Sequence, residues 1–178
     1  MPAHADPLDP RRARVAPGVL RAFNDAGVLT AADVHVARRL AALGGETDDL
    51  VLLGAALAAR APRLGHVCVD LAGVRASAAV DREESVDLDA LPWPQDVAGW
   101  MARLGASPLV SAGSEPGLAA ARPLRLEGTL VYLDRYWTQE RDVAADVVRR
   151  SDATADGVDD AVLAAGLERL FAGETGGR

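Results

Sequence analysis

The sequence predicts a mainly α-helical domain with one short strand and one β-hairpin, which is an α+β fold. Ala and Leu are abundant, and both have high helix propensity. Two apolar runs, residues 124–126 and 130–133, flank Glu127 and Gly128. Because glycine readily adopts the positive φ of a tight turn, this arrangement is typical of a hairpin. A chain of 178 residues is long enough for one domain with its own core.

Two helices are predicted near the start of the chain from capping and breaking residues. The first covers residues 19–26 and ends at Gly27. The second begins after Thr30, with Asp33 at the reciprocal position of a capping box, and ends at the glycine pair 44–45. Its predicted buried stripe is formed by Val36, Leu40 and Leu43, with Arg38 and Arg39 on other faces.

A third helix and a short strand follow. Thr47 is expected to cap the helix, because two aspartates come next and favour the positive end of the helix dipole. Pro62 and Gly65 are expected to end it. The strand is expected over residues 66–71, where two β-branched valines occur. The predicted buried face of the helix is formed by Leu50, Leu53, Leu57 and Ala61.

Three more helices are predicted. One is amphipathic, because its apolar residues recur at i, i+3, i+4 and i+7. A second is expected over residues 135–150, capped by Asp134, and a last one over residues 158–171. The apolar residues of the amphipathic helix are Val97, Trp100, Met101 and Leu104. The core face of the helix after the hairpin is expected to include Tyr136 or Trp137, Val143 or Ala144, and Val147.

The predicted elements divide the chain into four segments. Residues 1–17, rich in Pro, Ala and Arg, are expected to form a flexible arm, and residues 18–110 a helical domain. Residues 111–121 are small and rich in helix breakers, so we expect a surface loop. Residues 122–178 contain the predicted hairpin and the last helices.

Charge and missing residue types exclude several functions. The net charge of −7 disfavours strong DNA binding by the domain alone, since nucleic-acid binders usually present a basic surface. All 19 basic residues are Arg, so a P-loop ATP site, which needs a Lys, is excluded, as is Schiff-base chemistry. Cys68 is the only cysteine, which excludes an intrachain disulfide and a Cys-rich zinc site. The first 17 residues resemble neither a signal peptide nor a membrane span, and we expect a cytoplasmic location.

Three side chains on the predicted strand are the first candidate for chemistry. His66, Cys68 and Asp70 alternate along it and should share one face, as a thiol–imidazole–carboxylate set or a weak metal site would require. A nucleophile and its base usually converge from different elements, however, and no second cysteine is available. The structural interpretation, with Cys68 as a small buried residue, is favoured.

The remaining candidates are an acidic stretch, three tryptophans, single histidines and an arginine-rich start. The acidic stretch lacks the spacing of an EF-hand loop. The tryptophans could stack on nucleobases, but their spacing favours packing roles. His35 fits a helix surface, and the arginines fit either a phosphate-binding arm or a solvated tail. The residues concerned are Asp81, Glu83, Glu84, Asp87 and Asp89; Trp93, Trp100 and Trp137; and Arg11, Arg12 and Arg14.

The most distinctive segment of the sequence is DRYWTQE at residues 134–140. It places an Arg, two aromatic residues and a Glu at a strand-to-helix junction, which predicts a packed, hydrogen-bonded corner. A structural role is favoured. The residues alone predict no catalytic group, no cofactor ligand and no metal ligand.

Three stretches resemble the N-terminal region of the RecD family, the α subunits of exodeoxyribonuclease V. They are residues 26–71, residues 91–110 with their LPWP turn and SPLV end, and RPLRLEGTLVYLDRYWTQE at residues 122–140. Each is weak alone, but their order and spacing are specific. The residues that match the family's motif in the last stretch are Tyr132, Arg135, Tyr136, Trp137 and Glu140.

The resemblance implies a superfamily 1 helicase subunit that moves 5′ to 3′ on DNA and works with RecB and RecC in double-strand-break repair. It implies ATP and Mg²⁺ as cofactors of the intact protein only. The family's P-loop follows the matched region, so we expect this chain to lead toward a missing helicase core and to be inactive alone. Docking on RecC is the implied role of the domain.

Two alternatives stay open. The chain could be a stand-alone acidic adaptor without helicase activity, and the reading frame downstream of residue 178 distinguishes this from a helicase subunit. It could also be a small enzyme that uses Cys68, which predicts thiol-dependent activity.

Overall fold

The computed structural model describes residues 9–78, 87–113, 122–153, 157 and 159–171. The predicted α+β class is confirmed, because these residues are mostly helical and include a small four-stranded sheet. The helices are α1 (Gly18–Asp25), α2 (Ala31–Gly44), α3 (Asp49–Arg60), α4 (Val74–Ser77), α5 (Val97–Ala106), α6 (Asp134–Ser151) and α7 (Asp160–Leu170). Short 3-10 helices cover Ala61–Leu64 and Leu88–Ala90. The strands are β1 (Cys68–Asp70), β2 (Val110–Ala112), β3 (Leu124–Glu127) and β4 (Leu130–Leu133).

The chain divides into two compact units, Met1–Arg141 and Asp142–Arg178. The hydrophobic core belongs to the first unit. In the described part of the second unit no side chain is buried. None of the described helices is both long and apolar enough to cross a lipid bilayer.

The capping box of α2 is confirmed. The Thr30 N–H donates to Asp33 Oδ2 over 2.8 Å, and the Asp33 N–H donates to Thr30 Oγ1 over 3.4 Å. Gly45 ends the helix with φ +70°, a conformation that glycine adopts without a steric penalty. Both signals are local, so the sequence alone predicts the two ends of this helix.

The predicted cap of α3 is wrong by one residue. Asp48, not Thr47, occupies the cap, and its Oδ1 accepts the Leu50 N–H over 2.8 Å. The Thr47 N–H donates to Glu46 Oε1 instead, as does the Asp48 N–H. The Glu46 carboxylate thus holds the backbone that leads into the helix, and the aspartate that follows becomes the cap.

Helix α3 lies at the centre of the first unit and is buried on nearly all sides. The single buried face predicted for it is therefore too narrow. Its neighbours are α1, α2, α5 and β4. Helix α5 comes close at Gly54, where an added Cβ would lie 2.9 Å from Leu104 Cδ2. The Trp100 indole N–H of α5 donates to the Leu50 carbonyl over 2.7 Å, which ties the two helices together.

The stripe predicted to bury α2 is wrong at Val36 and Leu43, whereas Leu40 is partly buried and packs against the core. The buried apolar residues of this helix are Val34, Ala37 and Ala41. Val36 and Leu43 are instead 40% and 67% exposed. The buried face carries two alanines, and small side chains allow two helices to approach closely. Helix α3 packs on that face rather than on the larger leucines.

The sheet has the strand order β1-β4-β3-β2. Strands β3 and β4 form the predicted hairpin, with Leu126 opposite Val131 and Gly128 at φ +60° in the turn. Strand β1 pairs antiparallel with β4, and β2 pairs parallel with β3. The predicted surface loop at residues 111–121 is therefore wrong at its start, because Ser111 and Ala112 belong to β2. This strand depends on pairing with distant β3, which local composition does not reveal.

Three other boundaries differ from prediction. Strand β1 is three residues long rather than six, and His66 lies before it. Helix α6 begins at Asp134 itself, and α7 begins at Asp160, with Asp159 as its cap. The predicted core face of α6 is confirmed at Trp137, but its continuation is wrong: Val143, Ala144 and Val147 are all exposed.

The described part of the predicted arm, residues 9–17, lies against the first two helices. Asn24 of α1 is buried and accepts the Ala13 N–H through Oδ1 over 2.9 Å. Its Nδ2 donates to the carbonyls of Arg11 and Leu29 over 3.0 and 2.8 Å. One amide therefore joins three segments of chain, and Ala16 is buried beside them. Residues 1–8 of the predicted arm lie outside the described residues.

Glu46 gives the fold a predicted acid sensitivity. Partial burial raises the pKa of its carboxyl, but hydrogen bonds from the Ser107 hydroxyl and from the backbone N–H groups of Asp48 and Thr47 lower the pKa further than burial raises it. The Ser107 Oγ to Glu46 Oε2 distance is 2.6 Å. Since the folded-state pKa is the lower one, this stabilisation is present above the ordinary glutamate pKa of about 4.3 and is lost as the pH falls through the folded value.

We therefore expect Glu46→Gln to lower the free energy of unfolding by about 1 kcal/mol at pH 7. The same change should flatten the pH dependence of stability below about pH 5. Urea unfolding at pH 7 and pH 3.5 measures both effects. Glu168→Gln, on an exposed position of α7, is the matched control. A wild-type pH dependence retained in the Glu46 variant would contradict the assignment.

Candidate functional site

The three side chains singled out on the predicted strand 66–71, His66, Cys68 and Asp70, line one surface cavity of about 280 Å³. His66 and Asp70 are exposed, and Cys68 is half-buried. Arg60 of α3, which is buried, and Ser77 of α4 also line the cavity. Within the described residues no group of three His, Cys, Asp or Glu side chains is placed to hold a metal ion.

Cys68 is paired with Tyr132 rather than with a base. The two residues face each other across β1 and β4, and the nearby Tyr132 hydroxyl favours the thiolate and lowers the pKa of the Cys68 thiol. Burial raises the pKa of the Cys68 thiol, and this outweighs the opposing effect of the Tyr132 hydrogen bond. Burial also raises the pKa of the Tyr132 hydroxyl well above its usual range. A thiol with a raised pKa is a weak nucleophile at neutral pH.

We expect Cys68 to react slowly with iodoacetamide at pH 8 in the folded protein. The rate should be at least about tenfold below that of the urea-unfolded chain, because the thiolate fraction and the access are both reduced. Mass spectrometry of timed, quenched samples gives the two rates. Equal rates in the two states would contradict the structural role of this cysteine and reopen the enzyme alternative.

The junction between β4 and α6 is built around Trp137. Its indole is 3% exposed, and its N–H donates to Glu127 Oε2 over 3.0 Å. The guanidinium groups of Arg125 and Arg141 lie 4.4 and 4.9 Å from the ring centroid, within the range of cation–π contacts. Arg125 Nε also donates to Asp134 Oδ1 over 2.7 Å. These five residues, hereafter the junction cluster, fix the first turns of α6 on the hairpin.

The positions of two members of the cluster could have been predicted from their spacing in the sequence. Arg125 and Glu127 are two residues apart on β3, so their side chains share one face of the sheet. Trp137 lies on that face. In this chain, the face of β3 that carries the two charged side chains is therefore the face on which α6 packs.

The other residues of the family-like motif take different places. Tyr132 is buried and Tyr136 half-buried, with Arg135 4.7 Å from the Tyr136 ring centroid. Arg135 and Glu140 are exposed. The motif thus divides into residues that pack the corner and residues that face solvent. A structural role for the set stays a prediction.

The tryptophans are used for packing. Trp93 makes an edge-on contact with Phe23, with ring centroids 4.5 Å apart, and its N–H donates to the Leu88 carbonyl over 2.8 Å. Trp93, Trp100 and Trp137 are all buried. Their rings are therefore not available for stacking on nucleobases in this conformation.

The charged candidates are dispersed. Arg12 pairs with Asp25 at 3.6 Å, and Asp89 pairs with Arg75 at 2.9 Å. Asp87 caps a 3-10 helix through its bond from the Asp89 N–H. Arg11, Arg14 and His35 are exposed. His4 and residues 81–86 of the acidic stretch lie outside the described residues.

The residues present do not fit an ATP–Mg²⁺ site. The sequence contains no lysine to reach the phosphates, and the described carboxylates assemble no metal cluster. The ionic side chains make structural contacts instead. Arg63 pairs with buried Asp33 at 3.0 Å, and Arg103 pairs with Asp48 at 2.7 Å.

Comparison with known proteins gives one consistent answer. The sequence model described as "RecBCD enzyme subunit RecD, N-terminal domain" matches residues 25–132. RecD subunits from two strains of Mycobacterium tuberculosis are 48% identical over 134 residues, which cover 75% of this chain and 20% of each relative. The RecD subunit of Mycolicibacterium smegmatis is 46% identical over 139 residues, covering 78% of this chain and 22% of the relative. The chain spans about a fifth of the length of these relatives. Because the match covers more than half of the chain, the chain belongs to the RecD N-terminal domain family.

Proposed function

We propose that this domain docks a RecD-type subunit onto RecC, within an assembly that also contains RecB. The relatives are named as subunits of the RecBCD enzyme, which supports a role in assembly. In the whole protein, we infer an ATP- and Mg²⁺-dependent 5′ to 3′ DNA helicase that acts in double-strand-break repair and recombination in the cytoplasm. The residues of this chain take no part in the ATP chemistry of that proposal.

The observation that carries the docking role is how the matched region uses its reactive groups. Cys68 is held as a thiol beside Tyr132, and the carboxylates of Asp33 and Asp48 each bind an arginine. Within the described residues, these reactive groups thus make structural contacts. A folded region of this kind in a subunit family is best suited to holding another protein. The net charge of −7 supports a protein partner over DNA.

A binding measurement with purified subunits tests the proposal. The 178-residue chain is immobilised and exposed, at physiological salt, to RecC, to RecB and to RecBC from the organism that encodes it. Each run is repeated after nuclease treatment and again with added linear DNA. Saturable binding to RecC without DNA is the expected result.

The other outcomes separate the competing functions. Binding to RecC only when DNA is present would replace docking with DNA bridging. Binding to RecB but not RecC would keep the docking role and change its partner. Absence of binding to either subunit would contradict docking and favour the stand-alone adaptor, which predicts other partners.

A further inference from the structure

Helix α2 carries a second apolar stripe, of which Leu40 packs against the edge of the core while Val36 and Leu43 are exposed. Ala32, Val36, Leu40 and Leu43 are spaced at i, i+4, i+8 and i+11, so they form one stripe along the helix. Val36 and Leu43 are 40% and 67% exposed, and Leu40 is half-buried at the edge of the core. Single exposed apolar residues are ordinary on protein surfaces, whereas neighbouring exposed apolar residues on one helix face are a candidate interaction surface.

The stripe lies on a helix whose other side is already fixed. Val34, Ala37 and Ala41 belong to the core, and the capping box and Gly45 set the helix ends. The outer face is therefore presented by a preformed helix, which lowers the entropy cost of binding. A preformed helix with apolar residues at this spacing fits the mode in which a helix lies in a groove of its partner.

The charges beside the stripe indicate what kind of groove it fits. Arg39 is exposed next to Val36 and Leu43 on the outer face, and it makes no ion pair with any described residue. The one acidic residue of α2, Asp33, is buried and bound to Thr30 and Arg63. The outer face is thus apolar and basic in a chain whose net charge is −7. A complementary surface is apolar with carboxylates at its rim.

A second exposed apolar face exists on α7, but it belongs to the other compact unit and lies outside the region matched to the RecD domain family. Helix α2 lies inside that region. A surface that serves the shared role of the domain is expected within the shared region. The exposed apolar residues of α7 and its C-cap are Val162, Leu163, Leu167, Leu170 and Phe171.

We propose that the outer face of α2, formed by Val36, Leu40, Leu43 and Arg39, is the surface that seats in an apolar, acid-rimmed groove of RecC. This assignment rests on the docking function proposed above. It adds which helix face makes the contact and what chemistry the partner surface has.

The test compares two pairs of substitutions in the 178-residue chain. Val36→Gln with Leu43→Gln removes the apolar contact on α2 without adding charge. Leu163→Gln with Leu167→Gln makes the same chemical change on α7. Binding of each variant to RecC is measured by biolayer interferometry, and thermal unfolding followed by circular dichroism shows that each variant is folded. We expect RecC binding to weaken at least about tenfold for the α2 pair and to change less than about twofold for the α7 pair.

A third variant tests the charge. Arg39→Glu is expected to slow association with RecC and to weaken the salt dependence of the association rate, since opposite charges at a rim act mainly on encounter. An unchanged association rate would overturn the acid-rimmed groove.

The binding results separate this inference from the docking function. A loss for the α7 pair alone, a loss for both pairs, or no loss for either would overturn the assignment to α2 and leave docking intact. If the wild-type chain does not bind RecC, docking on RecC fails and this inference fails with it, whether or not the chain binds RecB. A loss confined to the α2 pair supports both.

Discussion

Replacing Trp137 with alanine is expected to lower the free energy of unfolding of the first unit by about 3–5 kcal/mol. The indole is 3% exposed, so its removal leaves a cavity at the N-terminal end of α6. The change also leaves Glu127 without its indole donor and removes the aromatic face shared by Arg125 and Arg141. Urea unfolding followed by circular dichroism measures the loss.

A conservative variant separates the packing of Trp137 from its polar contact. Trp137→Phe keeps an aromatic face for the two arginines but loses the hydrogen bond to Glu127. We expect this variant to lose only about 1 kcal/mol. If alanine and phenylalanine were equally damaging, the hydrogen bond rather than packing would hold the junction. A loss below about 0.5 kcal/mol for alanine would show that the cluster does not stabilise the domain.

Features that depend on a few neighbouring residues were predictable from the sequence. The Thr30 and Asp33 capping box, the stop at Gly45 and the hairpin turn at Gly128 are all confirmed. In each case the signal and the structure lie within four residues of each other.

Features that depend on distant segments were not predictable in the same way. The spacing of Val36, Leu40 and Leu43 correctly describes an apolar helix face, but it does not say whether that face meets the core or a partner. The alanines on the other side bring α2 against α3, and only the packed structure reveals this choice. The same holds for β2, which exists because residues 110–112 find β3 after a long connection.

The candidate site shows the same division. The sequence placed His66, Cys68 and Asp70 on one face, and all three line one cavity. The spacing did not predict that Tyr132, on a strand more than 60 residues later, would lie beside the thiol. The pairing of β1 with β4 therefore places Cys68 in a structural contact with Tyr132 and not in a thiol–imidazole–carboxylate set.

The face of α2 that was predicted to be buried carries exposed apolar side chains, Val36 and Leu43. Apolar side chains such as these gain free energy when a partner surface removes them from water. The wrong prediction of the buried face and the proposed interface both follow from a helix with two apolar faces. One face packs in the folded core, and the other leaves Val36 and Leu43 exposed.

Asn24→Asp is expected to be the second most damaging single change, with a loss of about 3 kcal/mol or more at pH 8. Asn24 is 2% exposed, and its amide nitrogen donates to the carbonyls of Arg11 and Leu29. Aspartate has nearly the same shape, but it places a carboxylate oxygen against two carbonyl oxygens. The change therefore converts two attractive contacts into repulsive ones inside a buried site.

The pH dependence of this variant distinguishes charge from shape. Burial beside two carbonyls raises the pKa of the new carboxyl in the folded state, so the folded protein binds the proton more tightly than the unfolded chain. The penalty then grows as the pH rises above the ordinary aspartate pKa of about 3.9 and shrinks as the pH falls toward it. Asn24→Ala, which removes the donors without adding charge, is expected to lose about 1–3 kcal/mol with no such dependence. Urea unfolding of both variants at pH 4.5 and pH 8 gives the comparison. A penalty for Asn24→Asp that stays constant between these pH values would mean that lost hydrogen bonds, not a buried charge, set its size.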